Sequence, residues 1–293
     1  MNMIQFLGAV QMGLIYALVT LGVYLTFRSI NFPDLTIDGS FPLGAAVAAS
    51  LIVSDVNPFT ATLIATLAGA LAGFVTGYLH VRWKILGLLA GILTMTALYS
   101  INLRIMGRPN IALLTEPTVF SFLTGSNGIL YGIGAIVLVI GYLLYRFLTS
   151  QFGLALRATG NNMRVSPSYG INVGFMILIG LGVSNGLVAL AGALFAQAHG
   201  FADISMGSLT LVTGLASVIV GESLFHSNHM AIVVISCILG SILYRLAIML
   251  ALNSQIAGLQ ASDLNLITSV LIIMAMLIPQ IRQKFPLKSR RSL

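Results

Sequence analysis

Three carboxylates lie where the surrounding sequence offers them little water: Asp34, Asp38 and Asp203. Only 7% of the chain is charged, with seven Asp and Glu in all, so an acid beside an apolar run needs a reason. An ionisable side chain near a bilayer is expensive and by default marks a gate, an ion path or a cargo path. A plainer role exists as well. In Asp38-Gly39-Ser40 the carboxylate stands at a helix start, where it can meet free backbone N–H groups and the positive end of the helix dipole. Asp34 and Asp203, each followed by an aliphatic residue and then Thr or Ser, suit the same role. Residue type leaves capping and transport chemistry both open.

Other candidate chemistry is weaker. Gly182-Val183-Ser184-Asn185-Gly186 fits the G-x-S-x-G of a serine nucleophile, but that elbow needs a strand–turn–helix context. The run 173–198 reads instead as one apolar helix, which puts His199 roughly 22 Å from Ser184 along its axis. An intramembrane protease is therefore disfavoured, and helix packing explains the glycines. His80, His199, His226 and His229 sit at span ends with no Cys, Asp or Glu to complete a ligand set, so no metal or cofactor is expected. No G-x-x-x-x-G-K-[ST] phosphate loop occurs, nor any Gly-Lys pair. The chain is expected not to be an enzyme, and any ATP drive must come from another subunit. Cys237 is alone in an apolar run and implies no disulfide framework.

The elements that position these residues are set by lipid. The chain is 58% hydrophobic with a mean hydropathy of +1.01, whereas soluble domains are about a quarter charged. An all-α polytopic membrane protein follows, a single transmembrane domain over 1–293. Apolar runs of spanning length lie at about 4–27, 41–54 (short), 58–81, 85–106, 128–148, 173–198, 208–225, 229–251 and 264–281. That makes about nine spans, with eight to ten allowed by the short second run. Arg282, Lys284, Lys288, Arg290 and Arg291 follow the last run, which predicts a cytoplasmic C-terminus. Counting backwards puts Arg28, Arg82, Lys84, Arg146, Arg157 and Arg164 on the same side and the N-terminus outside. The net charge of +7 is thus membrane topology rather than a nucleic-acid surface. Met1–Phe6 lacks the basic n-region of a cleavable signal.

The acids belong to a repeat. Phe32-Pro33-Asp34-Leu35-Thr36-Ile37-Asp38-Gly39-Ser40 recurs, one residue shorter, as Phe201-Ala202-Asp203-Ile204-Ser205-Met206-Gly207-Ser208. Five predicted spans separate the copies, so they fall on opposite sides of the membrane, as in the inverted repeats of transporters. The halves run over about 1–148 and 149–281. Gly69/Gly73/Gly77, Gly87/Gly91 and Gly182/Gly186 form small-residue stripes that let helices approach closely, within the subunit or at a dimer seam.

Between two spans lies a polar loop, 151–172, longer than the two to eight residues a plain connection needs. It reads as a docking piece with a short helical turn at Leu154, Leu156 and Ala158. Arg157-Ala158-Thr159-Gly160-Asn161-Asn162, then Gly170-Ile171-Asn172, resembles the coupling-helix segment of ABC importer permeases of the branched-chain amino-acid and ribose type. The stretch INFPDLTIDGSFPLGAAVAASL resembles a subgroup associated with tryptophan/tyrosine-type binding proteins. It departs at Pro33-Asp34 and Asp38-Gly39-Ser40 from the branched-chain pattern, while Asn31-Phe32 suits both; Gly91–Tyr99 extends the likeness.

The resemblance implies the transmembrane subunit of an ATP-driven importer in the bacterial cytoplasmic membrane, working as a homodimer by alternating access. It implies an ATPase beneath the loop, with Leu154, Arg157, Ala158, Thr159, Gly160, Asn161 and Asn162 in the coupling role. Glu222, at the inner end of a span, lies near that partner or is simply solvated. A binding protein is implied on the outer side, where Arg104, Arg108 and Glu116 bracket the loop 107–127. Asn31, Asp34, Asp38 and Asp203 are the candidates for the translocation path or its gates. The rival class is an ion-coupled secondary transporter, which needs no partner at the loop.

Overall fold

The computed structural model describes residues 3–122, 128–225, 227, 229–253, 269, 270 and 273. In hydrocarbon every backbone N–H and C=O needs an internal partner, so the apolar runs become helices. In chain order these are α1 (Met3–Val23, continued by a π-helical segment Tyr24–Ile30), α2 (Ile37–Val53), α3 (Pro58–Trp83) and α4 (Gly87–Met106). A short strand β1 (Asn110–Ala112) precedes α5 (Gly128–Thr149), α6 (Gln151–Asn161) and α7 (Val173–His199). Strand β2 (Phe201–Asp203), α8 (Thr210–Leu224) and α9 (Met230–Asn253) complete the set.

Seven of the described helical segments are long and apolar enough to cross a membrane; α2, at 17 residues, is shorter. Most of the run 264–281, the basic tail and His226 lie outside the described residues. Two boundaries differ from the sequence reading. α1 continues past residue 27 to Ile30 through its π-helical end. α2 starts at Ile37 rather than 41, because the polar Asp38-Gly39-Ser40 is helical and packed inside the bundle.

α3 packs on α7 and α9 on α1; α2 leans on α3 as α8 leans on α9; α1 and α7 meet at the centre. The triplets α1–α2–α3 and α7–α8–α9 thus exchange places. The two motifs share backbone geometry. Asn31 (φ 58°) and Gly200 (φ 76°) end α1 and α7 in the left-handed conformation. Three residues later Asp34 Oδ1 accepts from Thr36 N (2.9 Å) and Asp203 Oδ1 from Ser205 N (2.8 Å), the same Asx turn twice. The first copy lies toward the end of the bundle that carries α6, where Gly160 backs onto Ser29; the second lies beside the β1–β2 ladder at the opposite end.

The glycine stripes act within this subunit. A Cβ on Gly69 or Gly73 would run into Ala189, Asn185 or Leu181 of α7, and one on Gly44 or Gly192 would drive α2 and α7 apart. Gly221 and Gly240 do the same for α8 and α9. Close backbone approach replaces the hydrophobic drive that lipid does not supply.

Candidate functional site

α2 and α8 both begin inside the bundle, and the motif side chains hold those beginnings in place. Asn185, near the middle of α7, accepts from Ser40 Oγ at 2.7 Å and donates to Asp34 Oδ2 at 2.7 Å. Thr36 Oγ1 lies 2.7 Å from Thr76 Oγ1 of α3. Asp34, Thr36, Ser40, Thr76 and Asn185 are all fully buried. Each oxygen of Asp34 therefore has a donor, which is what makes a buried carboxylate tolerable.

Asp38 departs from expectation. The helix it belongs to is headed by Thr36, with no side-chain cap. Its Oδ1 instead accepts from Leu211 N, in the first turn of α8, at 2.7 Å. Gly207 makes the approach possible, since any side chain there would meet the Asp38 carbonyl and the Pro42 ring. Asp203 does cap locally: it precedes the 3₁₀ turn Ile204–Gly207 and accepts from Ser205 N and, at 2.5 Å, Ser205 Oγ. The Ser205 hydroxyl and amide, with Asn110 Nδ2 at 3.2 Å, hold its carboxyl below the usual carboxylate range. Between α2, α4 and residues 204–209 lies a cavity of about 550 Å³.

At the α6 end, Ser150 Oγ caps the helix by accepting from Gly153 N (3.3 Å), and Asn162 Oδ1 gathers the amides of Arg164 and Val165. The expected short turn is a full helix of 11 residues. Leu156 and Thr159 are buried, and Gly160 abuts the Ser29 carbonyl of α1. Leu154, Ala158, Asn161 and Asn162 face outward, together with Phe152, Met163, Val165 and Tyr169. Of the expected coupling residues, Arg157, Thr159 and Gly160 turn toward their own bundle, because α6 lies along the π-helical end of α1. Arg157 lines a polar cavity of about 480 Å³ with Tyr24, Arg28 and Glu222. Glu222 is neither free nor merely solvated: it forms an ion pair with Arg28 across α8 and α1.

At the opposite end Arg104 closes α4, Arg108 follows Gly107, and both are exposed; Glu116 is half-buried in the turn after β1. Residues 123–127 of that loop lie outside the described residues. Arg245 sits with its guanidinium 3.7 Å from the Tyr16 ring centroid, a cation–π contact that sequence reasoning missed. Asn185 and Asn102 were missed too, although an Asn within an apolar helix was the available clue. Ser184 is buried and donates to the Gly22 carbonyl at 2.8 Å, a packing role. Among the described residues no group of three or more His, Cys, Asp or Glu is placed to hold a metal.

Residues 5–279 match the model of the family described as branched-chain amino acid transport system / permease component. The chain belongs to this family. The permease is 40% identical over 266 residues to the tyrosine transport system permease protein of Clostridioides difficile (strain R20291), across 89% of the chain and 86% of that relative. It is 34% identical over 274 residues to an uncharacterized protein of Rickettsia prowazekii (strain Madrid E), across 92% and 95%. Among solved structures it is similar to PsaBC from Streptococcus pneumoniae in complex with Fab. The TM-score is 0.54 at 15% identity, covering 93% of the permease and 89% of that chain, a likeness of fold alone. The protein is a multi-pass membrane permease, a component of a transport system rather than an enzyme.

Proposed function

We propose that the permease is the transmembrane subunit of an ATP-driven importer that carries an amino acid, with aromatic side chains favoured, by alternating access. The observation that carries the importer reading is the surface of α6. A helix capped at its start and wedged against α1 presents Phe152 and Leu154 to water, and the turn that follows it presents Met163 and Val165, together an apolar surface fit for a soluble ATPase. The cargo reading rests on the relative named for tyrosine transport.

Arg28, Arg82, Lys84, Arg146, Arg157 and Arg164 gather at the α6 end, which the positive-inside rule makes cytoplasmic. The basic tail belongs on that side, in the bacterial cytoplasmic membrane. A binding protein docks at the other end against Arg104, Arg108 and Glu116, and a second copy completes the pore. The repeat halves, about 1–148 and 149–281, rock against each other. Movement of α6 passes to α1 through Gly160 and to α8 through Arg28 and Glu222. Asn31, Asp34, Asp38 and Asp203 fix the breaks about which α2 and α8 swing.

The test is uptake of radiolabelled tyrosine into proteoliposomes holding the permease with its ATPase and binding protein. Uptake is expected to require ATP and to survive a membrane uncoupler. Uptake that follows an ion gradient and ignores ATP would instead make the permease a secondary transporter.

A further inference from the structure

The cavity beside α4 holds two acceptors that the protein leaves without donors. Asp38 spends Oδ1 on Leu211 N, and Oδ2 receives no hydrogen bond among the described residues. Asn102 is fully buried; its Nδ2 donates to the Gly39 carbonyl at 3.3 Å, which fixes the amide orientation and leaves Oδ1 unpartnered. Both residues are anchored around Gly39, one as its chain neighbour and one through its carbonyl. Asn102 Oδ1 is the buried one of the two, and a buried acceptor without a donor is costly and calls for a missing partner. Thr96, Ser205 and Ser208 also line it, but Pro42, Met95, Tyr99, Ile204 and Leu209 make the remaining wall surface largely apolar. The volume, about 550 Å³, lies within the roughly 300–1,000 Å³ of small-molecule pockets.

We infer that this cavity is a cargo station inside the permease, binding the primary ammonium group of an amino acid between Asp38 and Asn102. The inference rests on the amino-acid cargo proposed above and adds where, and by which group, the permease holds it. An ammonium brings three donors and a positive charge, matching a carboxylate oxygen and an amide oxygen. An anionic group would be repelled by Asp38. A bare hard cation takes six or more oxygen ligands, whereas these walls offer mostly carbon. The apolar faces instead suit the side chain of the cargo.

The test uses the permease assembled with its ATPase and binding protein in liposomes, with tyrosine as the probe. Thr96→Cys, in the cavity wall, serves as a reporter for a maleimide supplied on both sides; Met95→Cys is the second reporter should the first not assemble. Cys237 is fully buried and contributes little background. Saturating tyrosine is expected to slow labelling at least tenfold. The same molecule without its ammonium, 3-(4-hydroxyphenyl)propanoate, should give no protection. Asp38→Asn keeps an oxygen for Leu211 N yet should abolish protection, and Asn102→Leu should weaken it at least tenfold. Equal protection by the propanoate, or full protection in Asp38→Asn, would overturn the ammonium assignment. Tyrosine import without protection would overturn the station and leave the importer reading standing. If tyrosine is not imported at all, the cargo reading falls and this inference falls with it.

Discussion

The carboxylate of Asp38, in the first turn of α2, accepts from the backbone amide of Leu211, in the first turn of α8, at 2.7 Å. Asp38 lies in the first copy of the repeat and Leu211 just after the second, so one hydrogen bond ties the starts of both interrupted crossings together. Replacing Asp38 with Ala leaves the Leu211 amide without its acceptor and should cost about 0.5–2 kcal/mol, the usual loss for a helix cap. Asn retains an oxygen and should cost no more than about 0.3–1 kcal/mol through the lost charge at the helix end. Thermal unfolding midpoints of the two variants in one detergent check the order; equal destabilisation would remove the cap from the account.

The Arg28–Glu222 pair is part-exposed, with side-chain exposures of 54% and 30%. Pairs of that kind add roughly 0–1 kcal/mol, so Glu222→Gln should barely shift stability. Its expected effect is on coupling, since the pair joins the α6-bearing end of α1 to α8. Each single charge reversal should lower transport per ATP hydrolysed, and Arg28→Glu with Glu222→Arg should restore part of it. Arg157 lines the same cavity, so incomplete rescue is expected. Additive losses in the double variant would argue against a coupling pair.

Gly160 lies against the Ser29 carbonyl, where even a methyl group has no room. Gly160→Ala should therefore shift α6 from α1 and uncouple ATPase stimulation from uptake, while Leu154→Ala should mainly weaken ATPase binding. Arg157→Glu should act like the glycine change, because that side chain faces inward. Binding isotherms and coupled turnover separate the two effects. Wild-type coupling in Gly160→Ala and Arg157→Glu would remove the inward face of α6 from the mechanism.

Legibility followed range along the chain. Spans could be read because lipid demands about 20 apolar residues in a row. The Asp-x-hydroxyl repeat could be read because an Asx turn is made within three residues. The start of α2 was misplaced because Asp38-Gly39-Ser40 is polar, yet it is buried by protein instead of exposed to lipid or water. Partners set by folding were not readable: Asn185 lies 151 residues from Asp34, and Glu222 lies 194 from Arg28. The outward and inward faces of α6 were unreadable for the same reason, since only contact with α1 distinguishes them.

At the β1–β2 end, Arg108 and Glu116 are proposed to steer the binding protein. Reversing both should slow association, chiefly at low ionic strength where charges act beyond contact range. Stopped-flow association rates across a salt series provide the check. Unchanged rates at low salt would assign these residues to a solvated connection.

The two Asx turns give the sharpest contrast. Asn caps about as well as Asp, so from sequence alone Asp34→Asn and Asp203→Asn should be equally mild. The structure separates them. Asp34 is fully buried, and both its oxygens accept, one from Thr36 N and one from Asn185 Nδ2. In Asp34→Asn an N–H₂ would face the Asn185 N–H₂, itself held by the Leu181 carbonyl at 3.0 Å. A buried donor left without an acceptor costs about 1–3 kcal/mol, so this variant should lose folded yield. Asp203 sits in a more exposed turn, and its Oδ1 partners accept Asn readily. Its depressed pKa means that its charge-linked stability is present above the unfolded-state value and is lost as pH falls through the folded one. Near neutral pH it stays ionised, and Asp203→Asn should change stability by less than about 1 kcal/mol. Folded yield by size-exclusion chromatography, with uptake normalised to it, decides the matter. Equal yield and uptake in the two Asn variants would show that the Asp34–Asn185 contact does not hold the start of α2.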